Sequence, residues 1–226
     1  MVLILENVLD AATLDAVRGA LSSAYFAEGT ATAGWYARGV KNNLQTKNDA
    51  WPQYDAWAQK VHQALFRHRS FRPATLPNVI LPPTFSRYVP GMGYGSHVDE
   101  AIMGAPQAVR TDIASTLFLS DPSTYDGGEL VVESYSGKTT YKLPAGHAIL
   151  YPATSIHHVA PITRGERLAA VLWIQSLVRD AGKREILFDL DTLRKSLWQS
   201  SGQVKTPESD LAARTYANLL RLWADP

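Results

Sequence analysis

Ile113-Ala-Ser-Thr-Leu-Phe-Leu119 is one of six short apolar or alternating runs from which the fold of this chain can be inferred. Clusters of Gly, Pro, Asp and Ser separate these runs, as turns separate the strands of a β-sandwich or barrel. The other five runs cover residues 84–89, 129–133, 139–143, 148–151 and 168–177. We therefore predict a central jelly roll over about residues 79–178.

Helical patterns flank this region on both sides. Asp10 can cap the first predicted helix, and Pro52 lies in the first turn of the second. We expect four helices, at residues 10–24, 51–67, 191–199 and 207–223. The predicted fold class is α+β, with a jelly-roll core and flanking N- and C-terminal helices. The chain then divides into an N-terminal strand and helical support region, the core and a C-terminal helical extension, at residues 1–78, 79–178 and 179–226.

The last predicted helix carries a stripe of apolar side chains at helical spacing, formed by Leu211, Tyr216, Leu219, Leu220 and Trp223. Such a stripe buries itself against a neighbouring surface. It either packs on the barrel or forms the contact of a homodimer, and the sequence leaves both open.

Composition narrows the class of protein and of site. The chain has 226 residues and a formal net charge of +1, which predicts no general attraction to nucleic acid or to an anionic membrane. It contains no cysteine, so any metal must be held by His, Asp or Glu. No apolar stretch approaches the roughly 18 residues of a membrane span. The N-terminus lacks the basic region of a secretory signal, and we expect a cytoplasmic protein.

His97-Val98-Asp99, followed much later by His157, has the order of a facial triad of two histidines and one carboxylate. Such a triad holds Fe(II) on one face and leaves positions open for a chelating 2-oxo acid and O2. Two residues apart in an extended chain, His97 and Asp99 would point the same way. An isolated His-x-Asp is common on surfaces, and the later residues strengthen the metal-site hypothesis. Arg167 could pair with the far carboxylate of the acid, because its planar guanidinium suits carboxylates.

Two of these positions have competitors. His157 and His158 would face opposite sides of a strand, and the position four residues before Pro161 favours His157 as the ligand. Arg164 competes with Arg167, but it lies in a turn and is expected to be solvated.

Other polar residues are weaker candidates. Tyr88 could line the cosubstrate pocket, and Thr116 lies on a strand that could face the barrel interior. Lys41, together with the amides Asn42, Asn43 and Gln45, would lie in a loop at the substrate entrance. Each of these is also a common structural residue.

The combined motifs resemble a known family. Arg87-Tyr88, Gly93-Tyr94-Gly95, His97-Val98-Asp99 and the hairpin Asp126-Gly127-Gly128-Glu129-Leu130 are similar to the prolyl 4-hydroxylase-type 2-oxoglutarate–Fe(II) oxygenase domain. The chain also resembles a narrower group, the bacterial PKHD-type hydroxylases, in residues 40–43, 155–157, 161–167 and 175–180. The resemblance covers about residues 2–224.

The resemblance implies a double-stranded β-helix core and L-ascorbate as an auxiliary reductant. It also implies Fe(II) bound by the ligand set His97, Asp99 and His157, and 2-oxoglutarate bound by Arg167. One departure is His147, where the family usually has an acidic residue. That position is not a metal ligand, so the ligand set is unaffected. The family's bacterial members are often linked to iron acquisition.

The leading hypothesis is a dioxygenase that hydroxylates a C–H bond of a peptide, amino acid or small metabolite. It would decarboxylate 2-oxoglutarate to succinate and CO2. One alternative is a non-catalytic metal-binding jelly-roll module, which has no need of Arg167 beside the triad. Another is a zinc hydrolase on the same ligands, which lacks an obvious glutamate base. The substrate and the oligomeric state remain open.

Overall fold

A computed structural model describes residues 1–104 and 106–225 of the chain. Its strands are β1 Leu3–Leu5, β2 Phe26–Glu28, β3 Lys41–Asn42, β4 Leu44–Thr46, β5 Pro77–Ile80, β6 Thr84–Tyr88, β7 Gly93–His97, β8 Ile102–Met103, β9 Val109–Arg110, β10 Ile113–Phe118, β11 Asp126–Gly127, β12 Leu130–Ser134, β13 Gly137–Tyr141, β14 Ala148–Pro152, β15 His157–Val159, β16 Ile162–Arg164 and β17 Arg167–Ser176. Its α-helices are α1 Ala11–Ser22, α2 Tyr54–Arg67, α3 Phe71–Thr75, α4 Ala181–Ser200 and α5 Pro207–Trp223.

The larger sheet is antiparallel, with the strand order β1-β14-β10-β17-β6-β4-β2 and with β5 beside β17. Every residue of β10 is buried, because both faces of this sheet are covered. Leu117 and Leu172 face the helices, in a core that they share with Val17, Val61 and Leu65. This packing explains why β10 and β14 read as largely apolar runs, whereas β17 alternates between buried and partly buried residues over most of its length.

The smaller sheet has the order β13-β12-β15-β7-β3 and lies against the inner face of the larger one. Phe118 and Tyr151 of the larger sheet pack in one core with Leu130, Val132 and Val159 of the smaller sheet. Two facing antiparallel sheets with flanking helices confirm the predicted α+β jelly roll. The first 46 residues contribute strands to both sheets, so the three-part division of the chain stays a prediction.

The predicted helices are present, with two corrected boundaries. Asp10 caps α1 as predicted, since its Oδ1 accepts a hydrogen bond from the Thr13 N–H at 2.7 Å. The second helix begins at Tyr54 rather than at residue 51. Trp51 is extended instead, and its buried ring packs edge-on against Phe85 with centroids 5.4 Å apart.

The helix predicted at residues 191–199 is longer, because α4 covers residues 181–200. Its first half contains Leu187 and Leu190, which are spaced as on one helix face and pack in one cluster, but the prediction began only at residue 191. The first turn is held by the Asp180 cap on the Lys183 N–H, at 2.8 Å, and by the buried Arg184. The Arg184 guanidinium donates to the carbonyl oxygens of Val178 and Arg179.

The apolar stripe of α5 packs largely on its own chain. Tyr216 is buried with Leu187 and Val178, and three further stripe residues lie against this cluster. Leu211 differs from the expectation, since it is 54% exposed. A homodimer contact therefore stays a prediction. In the described part of the chain, none of the helices has the length and apolar character needed to cross a membrane.

Candidate active site

Three side chains with metal-ligating groups meet at the end of the smaller sheet. His97 ends β7 and His157 begins β15, and the two are direct cross-strand partners with ring centroids 4.3 Å apart. Asp99 follows two residues after the end of β7. Its Oδ1 lies 4.0 Å from His97 Nε2 and 3.8 Å from His157 Nε2. The register between these two strands brings together residues that are far apart in the sequence.

Backbone carbonyls orient both imidazoles. His97 Nδ1 lies 2.8 Å from the Gly95 carbonyl oxygen, and His157 Nδ1 lies 3.0 Å from that of Ser155. A carbonyl oxygen only accepts, so each Nδ1 carries the hydrogen. Each Nε2 therefore keeps a free lone pair directed toward Asp99, which is the arrangement typical of metal-binding histidines.

Burial sets the charges of this group. Desolvation, reinforced by His157, lowers the pKa of His97 to about 4, so its imidazole is neutral near pH 7. Burial raises the pKa of the Asp99 carboxyl. Asp99 Oδ2 is buried and has no hydrogen-bond partner among the described residues. A buried carboxylate oxygen without a partner is costly, and a bound cation would satisfy it.

The donor set fits a divalent ion with open coordination positions. In residues 1–104 and 106–225, His97, Asp99 and His157 form the one group of three or more potential ligands, with atoms within 4.8 Å of one another. Two imidazole nitrogens and one carboxylate on one side are typical of sites for non-haem Fe(II) oxygenases. Three protein ligands leave room for a chelating acid and for O2.

Tyr94 supports the first ligand in a way that the sequence did not predict. Its ring stacks on the His97 imidazole, with centroids 3.6 Å apart and an interplanar angle of 14°. The residue lies three positions before His97 on the same strand, in the Gly93-Tyr94-Gly95 motif, for which the sequence predicted no contact with the metal ligands. No pattern in the sequence distinguishes a stacking tyrosine from a packing one.

Arg167 begins β17 and is 1% exposed. Its guanidinium carbon lies 5.1 Å from the ring centre of Tyr88, its cross-strand partner, and 5.3 Å from that of Phe118. Its Nε has no hydrogen-bond partner, and no carboxylate of the described residues forms an ion pair with it. Arg164, by contrast, is exposed and pairs with Asp126 at 2.7 Å. A buried, unpaired guanidinium is ready to bind an anion.

One cavity of about 360 Å3 connects these groups. Its lining includes the triad and Arg167, and also Tyr88, Thr116, Asn43 and Gln45. Burial raises the pKa of the Tyr88 phenol, which therefore stays neutral. Asn42 lies elsewhere, since it is exposed and donates to the Gly91 carbonyl oxygen at 3.1 Å. The segment around residue 43 was expected to be a loop, but it forms β3 and β4.

The fold of this chain is shared with solved oxygenases. A prolyl hydroxylase from Trichoplax adhaerens, solved with a hypoxia inducible factor peptide fragment, matches with a TM-score of 0.57 at 14% identity, over 77% of this chain and 83% of that one. HygX from Streptomyces hygroscopicus, solved with nickel, 2-oxoglutarate and hygromycin B, matches with a TM-score of 0.52 at 13% identity, over 77% and 82% of the two chains. At these identities the likeness concerns the fold alone.

Sequence comparison defines the class of enzyme. Residues 83–175 match the family model of the 2OG-Fe(II) oxygenase superfamily, and residues 181–225 match that of the PKHD-type hydroxylase C-terminal domain. The protein is thus a hydroxylase that depends on Fe(II) and 2-oxoglutarate. The chain is 49% identical over 225 residues to a PKHD-type hydroxylase from Acaryochloris marina, with both chains covered completely. It belongs to the PKHD-type hydroxylases, as the resemblance predicted.

Proposed function

We propose that His97, Asp99 and His157 hold the Fe(II) ion and that Arg167 binds 2-oxoglutarate, in an enzyme that hydroxylates a C–H bond of a small molecule or peptide. The observation that carries this proposal is one cavity with two unsatisfied ends. Three convergent metal ligands lie at one end, and a buried guanidinium without a carboxylate partner lies at the other. A chelating dicarboxylic acid satisfies both ends at once.

The bound metal and cosubstrate supply the oxidative chemistry. Decarboxylation of 2-oxoglutarate to succinate and CO2 consumes one oxygen atom of O2, and the other atom becomes the hydroxyl group of the product. The protein positions the reactants and excludes water. Tyr88 and Phe118 flank the Arg167 guanidinium and hold it in place for the C5 carboxylate of 2-oxoglutarate. Because Arg167 is buried, the resulting ion pair is stronger than it would be in water.

Three further points extend this proposal. L-ascorbate would act as an auxiliary reductant, which is supported by the family resemblance. Tyr88 would line the 2-oxoglutarate site, which is supported by its place under the guanidinium. The homodimer and the cytoplasmic location stay predictions from the sequence.

The test is an anaerobic titration of the Fe(II)-loaded protein with 2-oxoglutarate, monitored by the visible charge-transfer band of the chelate. Loss of a charge-assisted, bidentate contact costs about 2–3 kcal/mol, so Arg167→Ala should require about 30-fold or more 2-oxoglutarate. Arg164→Ala is the matched control, because it removes an exposed arginine three residues away. It should titrate like the wild type.

The absence of a band in wild-type protein with iron bound would contradict the proposal and favour the metal-binding module. Turnover with Zn(II) but not with Fe(II) would favour the hydrolase. A normal band in Arg167→Ala would leave the metal site intact and require another residue for the cosubstrate.

A further inference from the structure

One extended segment directs polar side chains into the cavity, where a buried strand usually has apolar ones. Residues 41–45 are extended, so that Lys41, Asn43 and Gln45 lie on one face. All three are buried and line the same cavity as the metal ligands, whereas the intervening Asn42 is exposed. We refer to the side chains of Lys41, Asn43 and Gln45 as the amide wall.

Thr32 fixes two of the three side chains. Its Oγ1 accepts a hydrogen bond from Lys41 Nζ at 2.8 Å and donates one to Gln45 Oε1 at 2.5 Å. Gln45 Nε2 also lies 3.5 Å from Ser86 Oγ. Gln45 is therefore occupied within the protein, and the Lys41 ammonium has a neutral partner that positions it without cancelling its charge.

Asn43 differs from its neighbours, because its amide makes no hydrogen bond of ordinary geometry, although the Tyr88 phenol, whose pKa is raised by burial, lies near enough for Asn43 to oppose this rise. It is 3% exposed, and both Nδ2 and Oδ1 are buried without a hydrogen-bond partner in the described part of the chain. An amide left in this state costs free energy in the absence of a ligand. Its place on the cavity lining indicates that a ligand supplies the missing donor and acceptor.

The charges in the cavity point to an anion. If the proposed function holds, the charges of Fe(II) and 2-oxoglutarate cancel, and those of Asp99 and Arg167 cancel as well. Lys41 then remains, 8% exposed; it makes no direct ion pair with a carboxylate of the described residues, and it is charged near pH 7 because burial lowers its pKa only to about 8, against the opposing effect of Asp99. Glu100 also lines the cavity, but it is exposed to solvent and screened by it. One buried positive charge is left for the substrate to balance.

We propose that the amide wall binds the substrate to be oxidised, and that this substrate carries a carboxylate for Lys41 beside an amide group for Asn43. This inference rests on the proposed function. A carboxylate fits better than a phosphate, since a dianion would leave an excess negative charge. The chemical class is an acylated amino acid, either free or as the C-terminal residue of a peptide. The cavity is near the lower end of the roughly 300–1,000 Å3 of small-molecule sites, which suits such a group.

The experiment compares hippurate with its neutral carboxamide, hippuramide, by titration calorimetry. The protein is loaded with Ni(II), an inert substitute for Fe(II), and with 2-oxoglutarate. Wild type should bind hippurate at least about tenfold more tightly than hippuramide, since an ion pair with a buried ammonium is charge-assisted. Lys41→Met keeps the length of the side chain and should abolish this preference. Asn43→Leu should weaken the binding of both probes by a similar factor.

Lys47→Met is the matched control, because Lys47 is about half exposed and pairs with Asp49 at 3.7 Å. It should retain the full preference for hippurate. Thermal unfolding of each variant checks that the fold is intact. A glycine-terminated hexapeptide and its C-terminal amide, titrated in the same way, distinguish a peptide terminus from a free amino acid derivative.

Three results would overturn the inference: equal binding of the two probes by wild type, no binding of either, or a preference that survives in Lys41→Met. A fourth would be a weaker 2-oxoglutarate chelate band in Lys41→Met, which would assign Lys41 to the cosubstrate. Failure of the proposed function looks different, because wild type itself would then bind no 2-oxoglutarate. The hippurate preference can still be measured on the Ni(II)-loaded protein in that case.

Discussion

Gly128→Ala tests whether the turn between β11 and β12 fixes the position of Arg167; this turn is not a hairpin as expected, since β11 pairs with β16 and β12 with β13 and β15. Gly128 has a φ of +69°, in the left-handed region that L side chains rarely adopt. A Cβ there would lie 2.3 Å from Ile162 Cδ1, 3.0 Å from Arg167 Cδ and 3.0 Å from Tyr125 Cε2. All three neighbours are less than 2% exposed, so none of them can move aside into solvent.

The expected loss of stability in Gly128→Ala has two causes, backbone strain and overpacking. Left-handed backbone costs a residue with a Cβ about 1–2 kcal/mol, and an extra methyl in a filled core costs about 1–3 kcal/mol. Gly128→Ala should therefore lower the free energy of unfolding by about 2–5 kcal/mol. Gly202→Ala is the matched control, because Gly202 has a φ of +67° and nothing within 4 Å of its added Cβ. Its free energy of unfolding should fall only by the cost of the backbone strain, about 1–2 kcal/mol.

Thermal unfolding measures the difference between the two variants. For a chain of this size, 1 kcal/mol corresponds to roughly 2–4 °C in Tm, so Gly128→Ala should unfold at a clearly lower temperature than Gly202→Ala. The steric contact with Arg167 Cδ should displace the guanidinium, so a higher 2-oxoglutarate concentration should be needed for half-maximal intensity of the chelate band. The reasoning is refuted if both variants lose the same stability and bind 2-oxoglutarate like wild type.

Two more predictions concern the metal ligands. Asp99→Ala should abolish hydroxylation and weaken Fe(II) binding measured by calorimetry. Asp15→Ala, at an exposed aspartate, is the control and should do neither. Retained turnover with tight iron binding in Asp99→Ala would count against the ligand assignment. In the metal-free protein, His97 should stay neutral down to about pH 4 in an NMR titration, because burial lowers its pKa. In the unfolded chain the pKa of His97 is about 6.5, so between pH 6.5 and 4 the unfolded state takes up more protons than the folded state. The stability of wild type relative to His97→Gln should therefore fall as the pH drops through this range. A constant difference in stability would contradict the pKa assignment.

The core of the fold was predictable because its strands are buried on both faces. The runs at β10 and β17 are mostly apolar, and β10 is buried along its whole length. The first half of α4 was missed, although Leu187 and Leu190 lie there at helical spacing. Its first turn is held by the Asp180 cap and by the bonds of Arg184 to the carbonyl oxygens of Val178 and Arg179, and such polar contacts leave no periodic signal in the sequence.

The candidate site was predictable to the extent that its chemistry fixes residue type and order. His97, Asp99, His157 and Arg167 could be chosen because iron and a carboxylate require these groups. The amide wall could not be chosen in this way, because its buried side chains are polar. On sequence alone, the apolar Val40 and Leu44 would be expected to face inward, whereas the structure buries Lys41, Asn43 and Gln45 on the opposite face of the strand.

The two ends of the site belong to different sheets, and this division has a consequence for function. His97 and His157 lie on the smaller sheet, whereas Arg167 lies on the larger one. The distance between metal and guanidinium is therefore set by the packing between the sheets, where Phe118 and Tyr151 meet Leu130 and Val159. Because 2-oxoglutarate must reach from the metal to the guanidinium, a change in this core alters cosubstrate binding without touching a ligand. Closely packed interiors transmit such shifts, so the sheet interface acts as part of the site.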